Sequence, residues 1–213
     1  MKLIVAVDGP AAAGKGELTR RLARHYNLAR LDTGLLYRAV GWAVLQGGQD
    51  PADERAAVAA AVALQAGDLE DPALRSEAAG SAASKVAAIQ AVRAQLIDFQ
   101  RNFSKHPPGG AAGAVLDGRD IGTVICPDAS AKLFLTARPE IRAERRLKEL
   151  QAKGVEAIGS AVLRDMMERD ARDAQRSVAP LEPAKDAFVL DTSDMDADAV
   201  FAAAVDFISR KLV

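Results

Sequence analysis

The chain has 213 residues, with 28 Lys and Arg against 29 Asp and Glu, a formal net charge of −1, 49% hydrophobic residues and 4% aromatic ones. A charge so near zero argues against a protein that grips nucleic acid over its whole surface, which would carry a clear basic excess. A fold of this length buries roughly 70–75% of its unfolded-chain surface and needs no covalent staple; Cys126, the single cysteine, has no partner for an intrachain bridge and is expected to be a small buried hydrophobe.

Lys2 to Asp8 is a short apolar run without helical period, stopped by Gly9-Pro10, as expected of a buried parallel strand. The start of the chain has one basic residue and too short an apolar stretch for a signal peptide, and no later run reaches the roughly 18 residues of a membrane span. A soluble, cytoplasmic protein without a membrane partner is the expectation. Similar runs recur at Leu28–Leu31, Ala114–Leu116, Lys132–Thr136 and Ala187–Leu190. Stretches of helical length separate them, at about Lys15–Tyr26, Leu35–Leu45, Pro139–Lys153, Ser160–Ala174 and Ala197–Leu212. Strands alternating with helices predict an α/β fold with a mostly parallel sheet, whose ligands sit at the carboxyl ends of the strands.

Two segments break the alternation. Ala52–Phe103 is alanine-rich but carries apolar anchors such as Leu64, Leu74, Val86, Val92 and Leu96, so residues of about 50–105 read as a helical insert. Gly154–Gly159 lies between two charged helices, and residues of about 146–165 read as a glycine-bounded lid.

The first strand leads into Gly9-Pro10-Ala11-Ala12-Ala13-Gly14-Lys15, a match to the GxxxxGK core of the P-loop. Small residues let backbone N–H groups converge on phosphate oxygens, the following helix points its positive end at them, and Lys15 reaches the terminal phosphates. Where the usual Ser or Thr would follow, the chain has Gly16 and then Glu17. A carboxylate in the first helical turn suits the macrodipole but repels phosphate unless it turns away or approaches a metal; the sequence leaves its role open.

Three further clusters complete the pattern: Leu31-Asp32-Thr33-Gly34-Leu35-Leu36-Tyr37-Arg38 after the second strand, Leu116-Asp117-Gly118-Arg119-Asp120-Ile121-Gly122-Thr123 after the third, and Arg169-Asp170-Ala171-Arg172-Asp173-Ala174-Gln175-Arg176 in a late helix. Arg169, Arg172, Asp173 and Arg176 share a helical face, and Arg138, Arg142, Arg145 and Arg146 largely share another on the preceding helix. Asp117 ends an apolar strand, where P-loop enzymes place the acid that holds Mg²⁺ directly or through water. His25 and His106, the two histidines, lie outside every cluster.

With the phosphate loop, these clusters resemble the bacterial cytidylate kinase family from the first strand to the C-terminal helix. The resemblance implies a single three-layer P-loop domain with a parallel five-stranded sheet, and transfer of the γ-phosphoryl group of ATP, as Mg-ATP, to CMP or dCMP. It places ATP on Gly9 to Glu17 (Gly9, Pro10, Ala11, Ala12, Ala13, Gly14, Lys15, Gly16, Glu17) with Arg142, Arg145 and Arg146. It places the monophosphate on Thr33, Arg38, Arg93, Arg119, Asp120, Arg169, Asp173 and Arg176, with Thr33 and Asp120 at the cytosine edge and Asp173 at the ribose hydroxyls. Lys15, Asp117, Arg119 and Arg169 would carry the chemistry, and a monomer acting on small molecules is expected. Relatives usually carry a small β-sheet in the insert; Ala66–Glu77 is too short and too poor in β-branched residues for one, so that sheet is expected to be missing or reduced. Two other readings are another small P-loop kinase, for a different monophosphate, shikimate or dephospho-coenzyme A, and a silent nucleotide-binding relative. The Asp117–Thr123 string with the Arg169–Arg176 face argues against the first, and Lys15, Asp117 and both arginine faces oppose the second.

Overall fold

A computed structural model describes residues 2–212. Every strand is a short apolar run: β1 (Leu3–Asp8), β2 (Leu28–Asp32), β3 (Gly113–Gly118), β4 (Ala131–Thr136) and β5 (Phe188–Asp191). They form one parallel sheet in the order β2-β3-β1-β4-β5. Alternation along β1 shows how the layers arise. Val5 and Val7 enter a core with Leu18 and Leu22 of α1 (Lys15–Tyr26) and Ala204 and Ile208 of α8 (Ala197–Leu212), whereas Ala6 faces Leu31, Leu116 and Ile121 on the other side.

Register brings three acids to the carboxyl edge of adjacent strands. Asp32 is paired with Asp117, and Asp8 with Gly118 one residue further on. The phosphate loop turns away directly after Asp8, and Gly9 has φ +143°; a Cβ there would lie 2.0 Å from the carbonyl oxygen of Leu135 in β4. Only glycine lets the loop cross its neighbouring strand this closely.

Between α2 (Thr33–Gln46) and β3 the chain builds α3 (Glu54–Ala63), two short 3₁₀ turns at Ala66–Glu70 and Pro72–Arg75, α4 (Glu77–Val86) and α5 (Gln90–Lys105). All five strands lie outside this segment. The insert has a core of its own, in which Leu36, Val40 and Val44 of α2 meet Ala57, Val86 and Leu96. α6 (Pro139–Ala152) and α7 (Gly159–Ala174) pack through Ala143, Leu150, Val162 and Met166, with Ala11 and Ala12 of the phosphate loop against them. Cys126 is buried beside Ile121 and Ile125.

Alanine content in the insert serves close approach. A Cβ added at Gly41 of α2 would sit 2.8 Å from both the Cβ and the carbonyl carbon of Ala82 in α4. Gly41→Val should therefore push α4 off α2 and destabilise the protein by roughly 1–3 kcal/mol, the usual cost of overpacking. Thermal unfolding measures it; a variant as stable as the parent would contradict this packing.

Candidate active site

The phosphate loop leads from β1 into α1 through Gly14, whose φ is +97°. Lys15 is buried at the start of the helix, and its Nζ donates to the carbonyls of Gly9 and Pro10, both at 2.7 Å. Burial and then the neighbouring Arg119 push its pKa down to about 7, with Arg169 acting in the same direction and Asp117 and Asp8 against it. Arg169 is lowered to about 9, again by burial first and Arg119 second. Like charges are thus held together where phosphate would be welcome.

Asp117 is buried at the end of β3 and its pKa rises to about 6, through burial and the adjacent Asp32. Arg30 of β2 stands 3.5 Å from the Asp117 carboxylate and donates from Nε to Thr19 at 2.8 Å. Thr33 Oγ1 donates to the Asp117 carbonyl at 2.8 Å.

Next to this edge the chain brings together most of the expected acceptor residues. Arg119 Nε donates to Asp173 Oδ2 at 2.9 Å, Arg176 pairs with the other oxygen of the same carboxylate, and Arg93 pairs with Asp120. Burial alone would raise Asp173, but Arg119, Arg176 and Arg169 hold it below the ordinary carboxylate range. Tyr37 Oη, Arg169 Nε and Arg176 Nε are buried without a hydrogen-bond partner among the described residues. Arg38 is held by the insert, donating to the carbonyls of Leu74 at 2.8 Å and Ser76 at 3.1 Å.

The arginines of α6 separate instead of acting as one face. Arg138 reaches out to Asp194 at 2.7 Å. Arg142 is buried, bonding the Ala137 carbonyl at 2.8 Å, Asp170 at 2.7 Å and the loop carbonyl of Ala11 at 3.4 Å. Arg145 donates to the hydroxyl and carbonyl of Thr192 at 2.9 and 2.6 Å. Thr192 in turn donates to the Ala13 carbonyl at 3.2 Å, and a pocket of about 300 Å³ lies there, lined by Gly14, Glu17, Arg145, Thr192 and Met195. Arg146 instead pairs with Glu77 at the start of α4 and with Glu149, linking α6 to the insert. It lines a cleft of about 920 Å³ shared with Arg38, Arg169 and Arg172. Glu17 pairs with Arg20 at 2.6 Å on the exposed side of α1, so its carboxylate is turned along the helix.

Thr192, Arg30, Glu77 and Asp8 were not among the residues expected from the sequence. Asp8 and Thr192 each follow or end an apolar strand at its carboxyl end, the one signal that could have flagged them. His25 packs edge-on against Tyr26 and Phe201 between α1 and α8, and His106 is exposed, so neither reaches the site.

Lys15 gives this site a pH signature. Its folded pKa is depressed from 10.5 to about 7, so the stability it contributes is full above pH 10.5 and is lost as pH falls toward 7. Lys15→Met removes that loss; its melting temperature relative to the parent should climb as pH is lowered from 10 to 7. A difference independent of pH would show that Lys15 is not held against its charge.

A family model described as cytidylate kinase matches residues 5–210. A cytidylate kinase from Paramagnetospirillum magneticum is 61% identical over 211 residues, covering 99% of this chain and 100% of that protein. Another, from Rhodospirillum rubrum, is 58% identical and covers 98% of each. Among solved structures, an uncharacterized protein from Eubacterium ventriosum aligns with a TM-score of 0.55 at 15% identity, covering 98% of this chain and 99% of that one. A sugar kinase from a Janibacter species aligns with a TM-score of 0.52 at 14% identity, over 98% and 95%; these two likenesses concern the fold alone. The sequence relationships extend over nearly the whole chain, and with them the chain belongs to the cytidylate kinase family.

Proposed function

We propose that the chain transfers the γ-phosphoryl group of ATP to CMP or dCMP, giving ADP and CDP or dCDP. The observation that carries this reading is the placement of Lys15 beside Arg119 and Arg169: the lysine of the phosphate loop stands near enough to the arginines of the expected acceptor cluster for Arg119 to lower the pKa of both Lys15 and Arg169. Donor and acceptor phosphates bound to these two sets would meet between them.

On the donor side, the backbone of Gly9 to Glu17 cradles the phosphates and the pocket beside Arg145 and Thr192 takes the base. Arg142 acts from behind, fixing the loop through Ala11 to α6 and α7, and Arg146 closes the cleft from the insert side. On the acceptor side, Arg38, Arg93, Arg119, Arg169 and Arg176 surround the monophosphate, Asp173 takes the ribose hydroxyls, and Thr33 and Asp120 read the cytosine edge. A carboxylate accepts a hydrogen bond from the exocyclic amine of cytosine, which uracil lacks.

The acceptor oxygen forms a new bond to the γ-phosphorus as the bond to the bridging oxygen of ADP breaks. A phosphate acceptor is largely ionised at neutral pH, so no general base is needed. Lys15, Arg119 and Arg169 balance the charge that builds on the transferring group. Mg²⁺ suits the buried carboxylate of Asp117 and the half-exposed one of Asp32 beside it, whose charge disfavours that of Asp117; held there with ATP it would neutralise phosphate charge. Clusters of three metal-ligating side chains are absent among the described residues, so nucleotide oxygens and water would fill the rest of its shell. No helix among the described residues is long and apolar enough to cross a membrane, and we infer a monomer working in the cytoplasm on free nucleotides.

A coupled ADP-release assay with Mg-ATP and CMP, dCMP, UMP, AMP or shikimate tests the reading; turnover is expected with the cytosine nucleotides, and its absence with both would overturn it. Lys15→Ala should lower kcat on the order of 10²–10³-fold with the fold intact by circular dichroism. Asp120→Asn should shrink the CMP-over-UMP ratio of kcat/KM by about tenfold or more, and an unchanged ratio would remove Asp120 from base recognition.

A further inference from the structure

Arg119 and Asp120 are carried by a backbone segment that two other residues hold. Directly after them, Ile121–Ile125 forms a single π-type turn, a rare conformation that is frequent at functional sites. Asp8, buried at the end of β1, accepts the N–H groups of Ile121 and Gly122, each at 2.8 Å, one on each carboxylate oxygen. At the other end, Arg101 of α5 donates from Nε to the Ile125 carbonyl at 3.3 Å and from Nη2 to the Val124 carbonyl at 2.9 Å. An acid at the N–H end and a guanidinium at the carbonyl end satisfy the groups that one turn leaves open, and both complement its dipole. Movement is blocked from the side as well: a Cβ at Gly118 would lie 2.7 Å from both Thr33 Oγ1 and Ile121 Cδ1. Neither Asp8 nor Arg101 hydrogen-bonds to the Arg119 or Asp120 side chains, whose partners are Asp173 and Arg93.

We infer that Asp8 and Arg101 are positioning residues for the acceptor nucleotide: they clamp the two ends of the turn so that Arg119 and Asp120 stand where the monophosphate and its base require them. The inference rests on the reading that those two residues hold the acceptor. Asp8 also precedes the phosphate loop, so its removal alone could disturb the donor. Arg101 has no such neighbour, because it sits on the insert helix, and it isolates the effect on the acceptor.

The test measures KM for CMP and for ATP separately, each at saturating partner, in Asp8→Asn, Arg101→Met and Arg101→Lys. Asn offers one acceptor and turns an amide donor onto the other backbone N–H; Met removes both donors of Arg101; Lys keeps a cation at the carbonyl end. A lost charge-assisted hydrogen bond should raise KM for CMP about tenfold in Asp8→Asn and Arg101→Met, leave KM for ATP within about twofold in Arg101→Met, and be partly rescued by Lys. Equal changes in both constants for Arg101→Met, or no change in either, would overturn the clamp. Arg101 is only partly buried, so it decides the matter if Asp8→Asn does not fold. Wild-type turnover of CMP in the same assay separates the two claims: without it the kinase reading falls and the clamp with it, whereas with it a failed split removes the clamp alone.

Discussion

Lys15, Arg119 and Arg169 stand close together, and burial with the charge of the neighbouring Arg119 pushes the pKa of both Lys15 and Arg169 down. Cations so arranged repel, and the fold answers by threading carboxylates between them. Asp117 and Asp8 act on Lys15, and Asp173 takes two arginines at once. The balance is incomplete by construction, since Asp117 is itself pushed toward its neutral form and guanidinium nitrogens remain without partners. Under the proposed function, bound phosphates would supply the missing negative charge, so the same crowding of like charges that costs the fold stability would favour anions.

That arrangement needs a frame that does not relax. The register of the parallel sheet sets Asp8, Asp32 and Asp117 on one edge, and the crossing of Gly9 over Leu135 fixes where the phosphate loop leaves it. Arg142 of α6 joins that loop to α7, through Ala11 and Asp170, and bonds Ala137 just before its own helix. The ion pair of Arg146 with Glu77 then ties the same helix to the insert. The phosphate loop, the α6–α7 pair and the insert are therefore joined through Arg142 and Arg146.

The alternation of apolar runs and helical stretches was enough to place all five strands and most helices, because buried parallel strands read as short, continuous hydrophobic blocks. The phosphate loop and the Asp117–Asp120 string were legible for the same reason: each is local, with its chemistry written in consecutive residues. What the sequence could not show was which way a side chain turns once on a helix. Arg138, Arg142, Arg145 and Arg146 share a periodicity, yet end on four different partners. Glu17, ambiguous in the first turn of α1, turns to Arg20. Asp8 carries in the sequence only the weak signal of its place at a strand end, because its partners, Ile121 and Gly122, lie more than a hundred positions away and only the sheet order brings them together.

That sheet order also governs how the chain can assemble. β1, at the centre of the sheet, pairs only with β3 and β4, and β2 pairs only with β3. During synthesis neither early strand has a partner until the ribosome has passed Gly113, whereas the insert's core, gathered from Leu36 to Leu96, closes over short sequence distances. The helical segment that interrupts the domain can then consolidate on contacts already made, whereas the phosphate loop, though among the earliest residues made, must wait for β3 and β4 to flank the strand it leaves.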